Sequence, residues 1–161
     1  VDDDALGKVR TAVYLPGGFD HGLPAEADLL AAIRKGSCVV TDGPVLDFSL
    51  EHAGGTARMG EALVVSDSQD IHVHIQGFSP PEFGAVEQVE VVTCFRPYRI
   101  PEKTLLQKGQ TAALPLNGAQ GYCRLFAQTT GADGQLFCCF TNPIWVRVTD
   151  GQACRLVARF I

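Results

Sequence analysis

One pair of histidines in the chain has a spacing that could bind a metal ion. His72 and His74 lie in the segment DIHVHIQ, which begins at Asp70. Residues i and i+2 of a β-strand point to the same face, so both imidazoles would lie on one side. A catalytic zinc site takes three protein ligands, and the other two histidines stand in no recognisable ligand motif. We interpret His72 and His74 as the polar face of a strand, with a weak metal site as the alternative.

Thr41 and Asp42 are a second candidate, because they open a T-D-G-P segment between two apolar runs. Asp, Gly and Pro are typical turn residues, and Pro44 suits the edge of a strand. This composition favours a structural turn. The functional alternative places Thr41 and Asp42 at the rim of a sheet, where they would face a neighbouring active site.

The segment CCFTNPIWV contains Asn142 and Pro143 within an otherwise strand-like run. Proline cannot donate to a sheet, so the pair predicts a bend, a bulge or a cis peptide bond. Trp145 follows, and we expect it to lie in the core. A ligand-stacking role for Trp145 is the alternative.

The six cysteines show no metal-binding or disulfide pattern. None forms C-x-x-C, and most lie in apolar runs, where a free cysteine behaves as a small buried hydrophobe. We predict reduced core thiols, which favours a cytoplasmic origin. The six are Cys38, Cys94, Cys123, Cys138, Cys139 and Cys154.

The remaining pattern predicts a mainly β chain. The segment LPAEADLLAAIRKG predicts a helix that ends at Gly36, with acidic residues in its first turn and basic residues in its last. Its stripe of Leu29, Leu30 and Ile33 should dock on another element. β-branched and aromatic runs separated by turn residues fill most of the rest. We predict an immunoglobulin-like antiparallel β-sandwich over residues 37–161, preceded by a short strand–helix segment within residues 1–36.

Composition limits the partners. The chain has 161 residues, a formal net charge of −5 and 46% hydrophobic residues, as expected for a folded globular protein. It contains no cluster of Lys and Arg, so we do not expect nucleic acid as a partner. No apolar run reaches the ~20 residues that cross a bilayer, so we expect no membrane span. The start VDDDALGKVR lacks a Met and a signal peptide and predicts a piece of a longer protein. The oligomeric state is not predicted.

Three stretches, in this order, resemble the C-terminal part of PHP-type metallohydrolases (polymerase and histidinol phosphatase superfamily), in the branch that includes carbaryl-hydrolase-like proteins. They are RTAVYL at 10–15, LLAAIRKGSCVVTDGPVLDFSL at 29–50 and CFTNPIWV at 139–146. Arg10 and Thr11 match the family's segment just beyond the catalytic barrel. The family's strand-turn motif is matched by Gly36, Thr41, Asp42, Gly43 and Pro44. The closing motif of its sandwich is matched by Thr141, Asn142 and Pro143.

The resemblance implies an accessory domain of a metal-dependent phosphoesterase, inactive by itself. Its partner would be its own upstream catalytic domain, of which residues 1–36 would be the tail. That domain would hold divalent metal ions such as zinc, manganese or iron, and this chain would hold no cofactor. The family's H-x-H-T-x-x-S-D-G motif lies near the N-terminus, whereas His72 and His74 follow T-D-G-P, so they are not that motif. The resemblance places Arg10, Thr41 and Asp42 at the seam with the catalytic domain. The alternative function is an immunoglobulin-like module that binds carbohydrate or protein.

Overall fold

The structure, a computed structural model, describes residues 8–15, 22–53, 55–66, 70–96, 100–116, 118–149 and 155–161. These residues form one α-helix, one turn of 3-10 helix at Pro81–Phe83 and a series of strands. The elements are β1 (Arg10–Val13), α1 (Glu26–Lys35), β2 (Cys38–Thr41), β3 (Val45–His52), β4 (Gly55–Arg58), β5 (Ala62–Val65), β6 (Ile71–Phe78), β7 (Gln88–Phe95), β8 (Glu102–Gln107), β9 (Thr111–Pro115), β10 (Gln120–Thr130), β11 (Leu136–Thr141), β12 (Ile144–Val148) and β13 (Arg155–Phe160).

Within the described residues, the strands form two sheets. The larger sheet has eight strands in the order β1-β2-β11-β10-β12-β5, with β7 paired to β10 and β8 paired to β7. The smaller sheet has five strands in the order β4-β3-β6-β13-β9. Most neighbours are antiparallel, but β12 pairs with β5 and β13 pairs with β6 in parallel. The prediction of a mainly β chain is confirmed, and its purely antiparallel arrangement is corrected at these two pairs.

A single core lies between the two sheets, because alternate residues of each strand point inward. In β6, Ile71, Val73 and Ile75 are fully buried, whereas His72 is exposed. Leu156 of β13 and Leu125 of β10 belong to the same buried cluster. The sequence pattern that predicted an aliphatic inner face for DIHVHIQ is therefore confirmed.

The helix α1 follows the predicted dipole pattern, with Glu26 and Asp28 in its first turn and basic residues in its last. Gly36 adopts the left-handed conformation, with φ of 84°, and ends the helix. The strand β1 from the same N-terminal segment pairs antiparallel with β2 and so becomes part of the larger sheet. The division of the chain at residue 36 into two domains stays a prediction.

Two strands were not predicted. They are β4, whose segment GTAR begins with a glycine, and β8, whose segment EKTLLQ begins with two charged residues. Both lie at sheet edges, where one side of the strand faces water and polar residues are tolerated.

Among the described helical residues, no stretch has the length and hydropathy that a membrane-crossing helix needs.

Candidate functional site

Two of the residues that the resemblance places at the seam, Arg10 and Thr41, lie on neighbouring strands at one end of the larger sheet, and Asp42 follows between β2 and β3. Arg10 of β1 is the cross-strand partner of Thr41 of β2, and Thr41 is in turn the partner of Cys139 of β11. Directly opposed residues share a face of the sheet. Thr41 is buried, and Arg10 is exposed on the outermost strand. The fold thus brings Arg10 and Thr41 together, and their place at a seam with a catalytic domain stays a prediction.

The side chain of Thr41 closes the T-D-G-P turn. Its hydroxyl donates to the carbonyl of Pro44 and accepts from the N–H of Gly43, 3.0 Å away. A hydroxyl that bonds backbone groups two and three residues later is a common way of fixing a turn. Thr41 therefore has a local structural role.

Asp42 fastens the same turn to β11. Its Oδ1 accepts from the N–H of Cys138 at 2.5 Å, and its own N–H donates to the carbonyl of Cys138 at 3.2 Å. Gly43 fits tightly beside Phe83, since a Cβ on Gly43 would lie 2.8 Å from Cγ of that ring. These contacts favour the structural interpretation of Asp42 and Gly43.

The other motif residues meet at the C-terminal end of α1. The amide nitrogen of Asn142 donates to the carbonyl of Gly36 and to Sγ of Cys38, each at 3.1 Å. The carbonyl of Pro143 accepts from the N–H of Gly60 at 2.9 Å. Gly36 and Asn142 are 106 residues apart in sequence, so this contact joins the N-terminal segment to the final strands.

Asn142 and Pro143 form a bulge, one of the three alternatives predicted for this pair. On β10, Phe126 pairs with Phe140 and Cys123 pairs with Ile144. The three residues between Phe140 and Ile144 therefore lie opposite only two residues of β10, and the pairing register shifts by one residue. The hydroxyl of Thr141 accepts from the N–H of Leu125 at 2.8 Å and so replaces a ladder bond lost at the bulge.

An ion pair lies beside this junction. Nζ of Lys35, in the last turn of α1, lies 2.5 Å from Oε1 of Glu61. The other carboxylate oxygen of Glu61 accepts from the N–H of Arg58 at 2.7 Å. The hydrogen bond from Lys35 is the main cause that holds the pKa of Glu61 below its ordinary value. The pair reinforces the contact between α1 and the turn after β4.

Burial favours the protonated thiol at Cys123, Cys138 and Cys139. Cys38, Cys123, Cys138 and Cys139 form no disulfide, and Cys154 lies outside the described residues. Burial raises the pKa of Cys139 to about 11 and that of Cys123 to about 12. Burial also raises the pKa of Cys138, and the Asp42 carboxylate raises it further. Reactive cysteines have lowered pKa values, so these side chains suit packing.

The histidine pair lies on the outer side of the smaller sheet. The ring centres of His72 and His74 are 6.4 Å apart, and Nε2 of His74 lies 3.0 Å from Oε2 of Glu51. Asp70, the upstream carboxylate, pairs with Arg155 at 3.1 Å. In the part of the chain that the structure describes, no group of three or more His, Cys, Asp or Glu side chains is arranged to hold a metal ion.

The larger sheet carries an aromatic surface that the sequence pattern did not predict, and we call this surface the outer face. It consists of Tyr122, Arg124, Phe126, Phe140, Trp145 and Arg147. Trp145 is 49% exposed and Phe140 48% exposed, so the prediction that Trp145 lies in the core is wrong. Its strand alternates, and Ile144 and Val146 occupy the inward positions instead. The alternation of residues in GYCRLFAQ was the sequence signal that could have predicted this surface. Apolar residues occur on both faces of β10, so the sequence alone did not distinguish the inner face from the outer one.

The rings of the outer face contact one another across strands. Tyr122 and Trp145 are register partners whose ring centres lie 5.6 Å apart at 75°, an edge-to-face contact. Phe126 and Phe140 are register partners with centres 4.7 Å apart and planes at 36°. Arg124 lies between the two pairs on β10 and is exposed.

Comparison of the chain with models of protein families, with curated proteins and with solved structures finds no match.

Proposed function

We propose that this chain is the C-terminal accessory domain, an immunoglobulin-like β-sandwich, of a PHP-like metal-dependent phosphoesterase or related hydrolase. In this proposal the domain is not catalytic by itself. It packs against the upstream catalytic domain of the same polypeptide, here called the parent protein.

The observation that carries the proposal is the uncovered helix beside the seam. Leu30 and Ile33 of α1 are 42% and 48% exposed, and Ala32 is the buried residue of the helix. An amphipathic helix normally buries such a stripe. The same helix ends at Gly36, a position in the motif on which the resemblance rests. The proposal gives the stripe a partner, namely the catalytic domain next to the seam.

The seam contacts support a positioning role. The Thr41 hydroxyl and the Asp42 carboxylate both bond backbone groups, so they shape the rim of the sheet. Arg10 is the exposed charged residue of the seam and is the one available to contact the catalytic domain. The metal ions of that domain, such as zinc, manganese or iron, would supply a bound hydroxide for hydrolysis.

The proposal is tested by comparing the isolated chain with the parent protein. Both are assayed for hydrolysis of bis(p-nitrophenyl) phosphate with added zinc, manganese or iron. We expect activity only in the parent. Hydrolysis by the isolated chain at the rate of the parent would overturn the accessory role, and a parent without metal-dependent hydrolysis would overturn the family assignment.

Two substitutions in the parent test the seam. Asp42→Ala should lower the activity, because it frees the turn from β11. Asp70→Ala is the matched control, since Asp70 pairs with Arg155 on the smaller sheet. Ile33→Glu should have a larger effect by placing a charge in the proposed interface. Equal activity of Ile33→Glu and the unchanged parent would contradict the docking of α1.

The second candidate is a carbohydrate- or protein-binding module. The exposed Tyr122–Trp145 pair favours it, because aromatic side chains with one apolar face stack on sugars and anchor protein interfaces. Affinity electrophoresis of the isolated chain in gels containing soluble polysaccharides tests the carbohydrate form. Retardation that is lost in Trp145→Ala and kept in Phe78→Ala, a similarly exposed aromatic on the smaller sheet, would support this function.

A further inference from the structure

We infer that the outer face of the larger sheet is the surface that contacts the catalytic domain, and that the partner surface carries carboxylates around an apolar centre. This inference rests on the proposed function. To that function it adds a specific contact surface, outside the seam, and the charge of the partner surface that binds there.

The apolar part of the outer face is contiguous over three strands, β10, β11 and β2, and is interrupted on β7 by Glu90. Phe140 is the register partner of Phe126 on one side and of Val40 on the other. Beyond Phe126, the same row continues through Glu90 to Leu105. Val40, Leu105 and Phe140 are all substantially exposed. A contiguous apolar row on an exposed sheet is unusual for a surface that faces only water.

The two outward surfaces of the sandwich differ in kind. On the smaller sheet, several outward residues pair between neighbouring strands: Arg58 with Asp47 and Arg155 with Asp70 as ion pairs, and His74 with Glu51 by a hydrogen bond. Such a surface is stable in water without a partner. The outer face instead presents aromatic rings and arginines, the residue types enriched at protein interfaces.

The charge of the outer face points to an acidic partner. Arg124 and Arg147 are exposed, and neither forms an ion pair with a described residue. Lys103, on the same side of β8, is already paired with Glu90 at 3.0 Å. The chain as a whole has a net charge of −5, whereas Arg124 and Arg147 give this surface an unpaired positive charge. Two copies stacked through it would bring arginines together, whereas a partner with carboxylates would pair them.

The outer face and the seam are connected by one strand. Val40 extends the apolar row onto β2, and β2 begins two residues after Gly36, the end of α1. The end of α1 and the β2 side of the outer face are therefore adjacent along the chain, and our inference includes a partner surface that covers both. This continuity favours the catalytic domain over an unrelated partner.

Hydroxyl-radical footprinting of the isolated chain and of the parent protein tests the inference. Oxidation of Trp145 and Phe140 is followed by mass spectrometry, with Phe78 as the internal control because it is 55% exposed on the smaller sheet. We expect oxidation of Trp145 and Phe140 to fall by about tenfold in the parent, as for side chains buried at an interface, and oxidation of Phe78 to be unchanged.

The charge is tested with Arg124→Glu/Arg147→Glu in the parent. Oxidation of Trp145 should return to the level of the isolated chain, because carboxylates would then face carboxylates. Arg159→Glu, an exposed residue on the smaller sheet, is the control and should keep Trp145 protected. Phe140→Ser should also remove the protection of Trp145, and it does so without adding a charge. Circular dichroism of each variant identifies any that fails to fold.

The outcomes separate this inference from the proposed function. Equal oxidation of Trp145 in the chain and in a parent that hydrolyses the phosphodiester overturns the inference and leaves the proposed function standing. Protection of Trp145 in a parent without metal-dependent hydrolysis overturns the proposed function instead. Dimerisation of the isolated chain that Phe140→Ser abolishes would assign the outer face to a second copy and overturn the inference.

Discussion

The amide nitrogen of Asn142 lies 3.1 Å from the carbonyl oxygen of Gly36, so the bulge between β11 and β12 is bonded to the end of α1. The last carbonyls of a helix have no partner within the helix, and here a side chain from 106 residues away supplies one. The N–H of Asn142 also donates to the carbonyl of Cys38 at 3.3 Å. One residue thus holds α1, β2 and the bulge in a fixed arrangement.

Asn142→Ala should lower the free energy of unfolding by about 1 to 2 kcal/mol, because the carbonyl of Gly36 loses its donor. Asn142→Asp should lower it by at least as much, since it replaces the amide donor with an acceptor at nearly the same shape. Urea denaturation measures both, with Gln128→Ala on the exposed side of β10 as the control. A variant Asn142→Asp as stable as the unchanged chain would contradict the assigned orientation of the amide.

The buried hydroxyls of Thr141 and Thr129 should respond in opposite ways to replacement by valine. Thr141 bonds the N–H of Leu125, so Thr141→Val leaves a buried donor without a partner and should cost about 1 to 3 kcal/mol. The hydroxyl of Thr129 has no hydrogen-bond partner among the described residues, so Thr129→Val should be neutral or stabilising. Both side chains keep their shape, and thermal unfolding compares the two variants directly. Equal losses would mean that the hydroxyl of Thr141 does not support the bulge.

Local patterns in the sequence were sufficient for the helix, the inner faces of the strands and the bulge. The alternation of DIHVHIQ, the acidic and basic ends of α1 and the Asn-Pro pair each act through residues close in sequence. The edge strands β4 and β8 were missed because their pairing partners, and not their own residues, make them strands.

The contacts of the candidate site depend on the fold and were harder to predict from the sequence. Gly36 and Asn142 could be singled out separately, but their hydrogen bond depends on how β2 and β11 are paired. The exposure of Trp145 was mispredicted because a single tryptophan is usually buried in such sandwiches, whereas the direction of each side chain follows from the register of β12. A register is a property of two strands, and one segment alone does not specify it.

Gly60 should tolerate substitution far less than Gly109. Both glycines have left-handed backbone conformations, with φ of 82° and 83°. A Cβ on Gly60 would lie 2.0 Å from the carbonyl oxygen of Lys35, whereas a Cβ on Gly109 would meet nothing within 4 Å. Gly109→Ala should cost about 1 kcal/mol from the backbone alone, and Gly60→Ala should cost several times as much. Urea denaturation measures the difference, and equal losses would contradict the close approach of α1 to the turn after β4.

The stability of the fold should fall steeply above pH 9, because two buried thiols keep their protons when the chain is folded. Burial raises the pKa of Cys139 from 9.0 to about 11, and that of Cys123 to about 12. The unfolded chain releases these protons first, so their stabilising effect is complete below pH 9.0 and is lost as the pH rises through the folded values.

In this range, each thiol should lower the free energy of unfolding by about 1.4 kcal/mol per pH unit. Cys139→Ala should be less stable than the unchanged chain near pH 7, because it loses buried sulfur, but its free energy of unfolding should decline less steeply with pH. The burial of Tyr14 is the main cause that raises the pKa of its phenol, and Cys139 raises it further, so Cys139→Ala also removes a small part of this contribution. Urea denaturation at several pH values between about 7 and 10.5 gives the two slopes. Identical slopes would show that Cys139 ionises in the folded state as readily as in the unfolded chain.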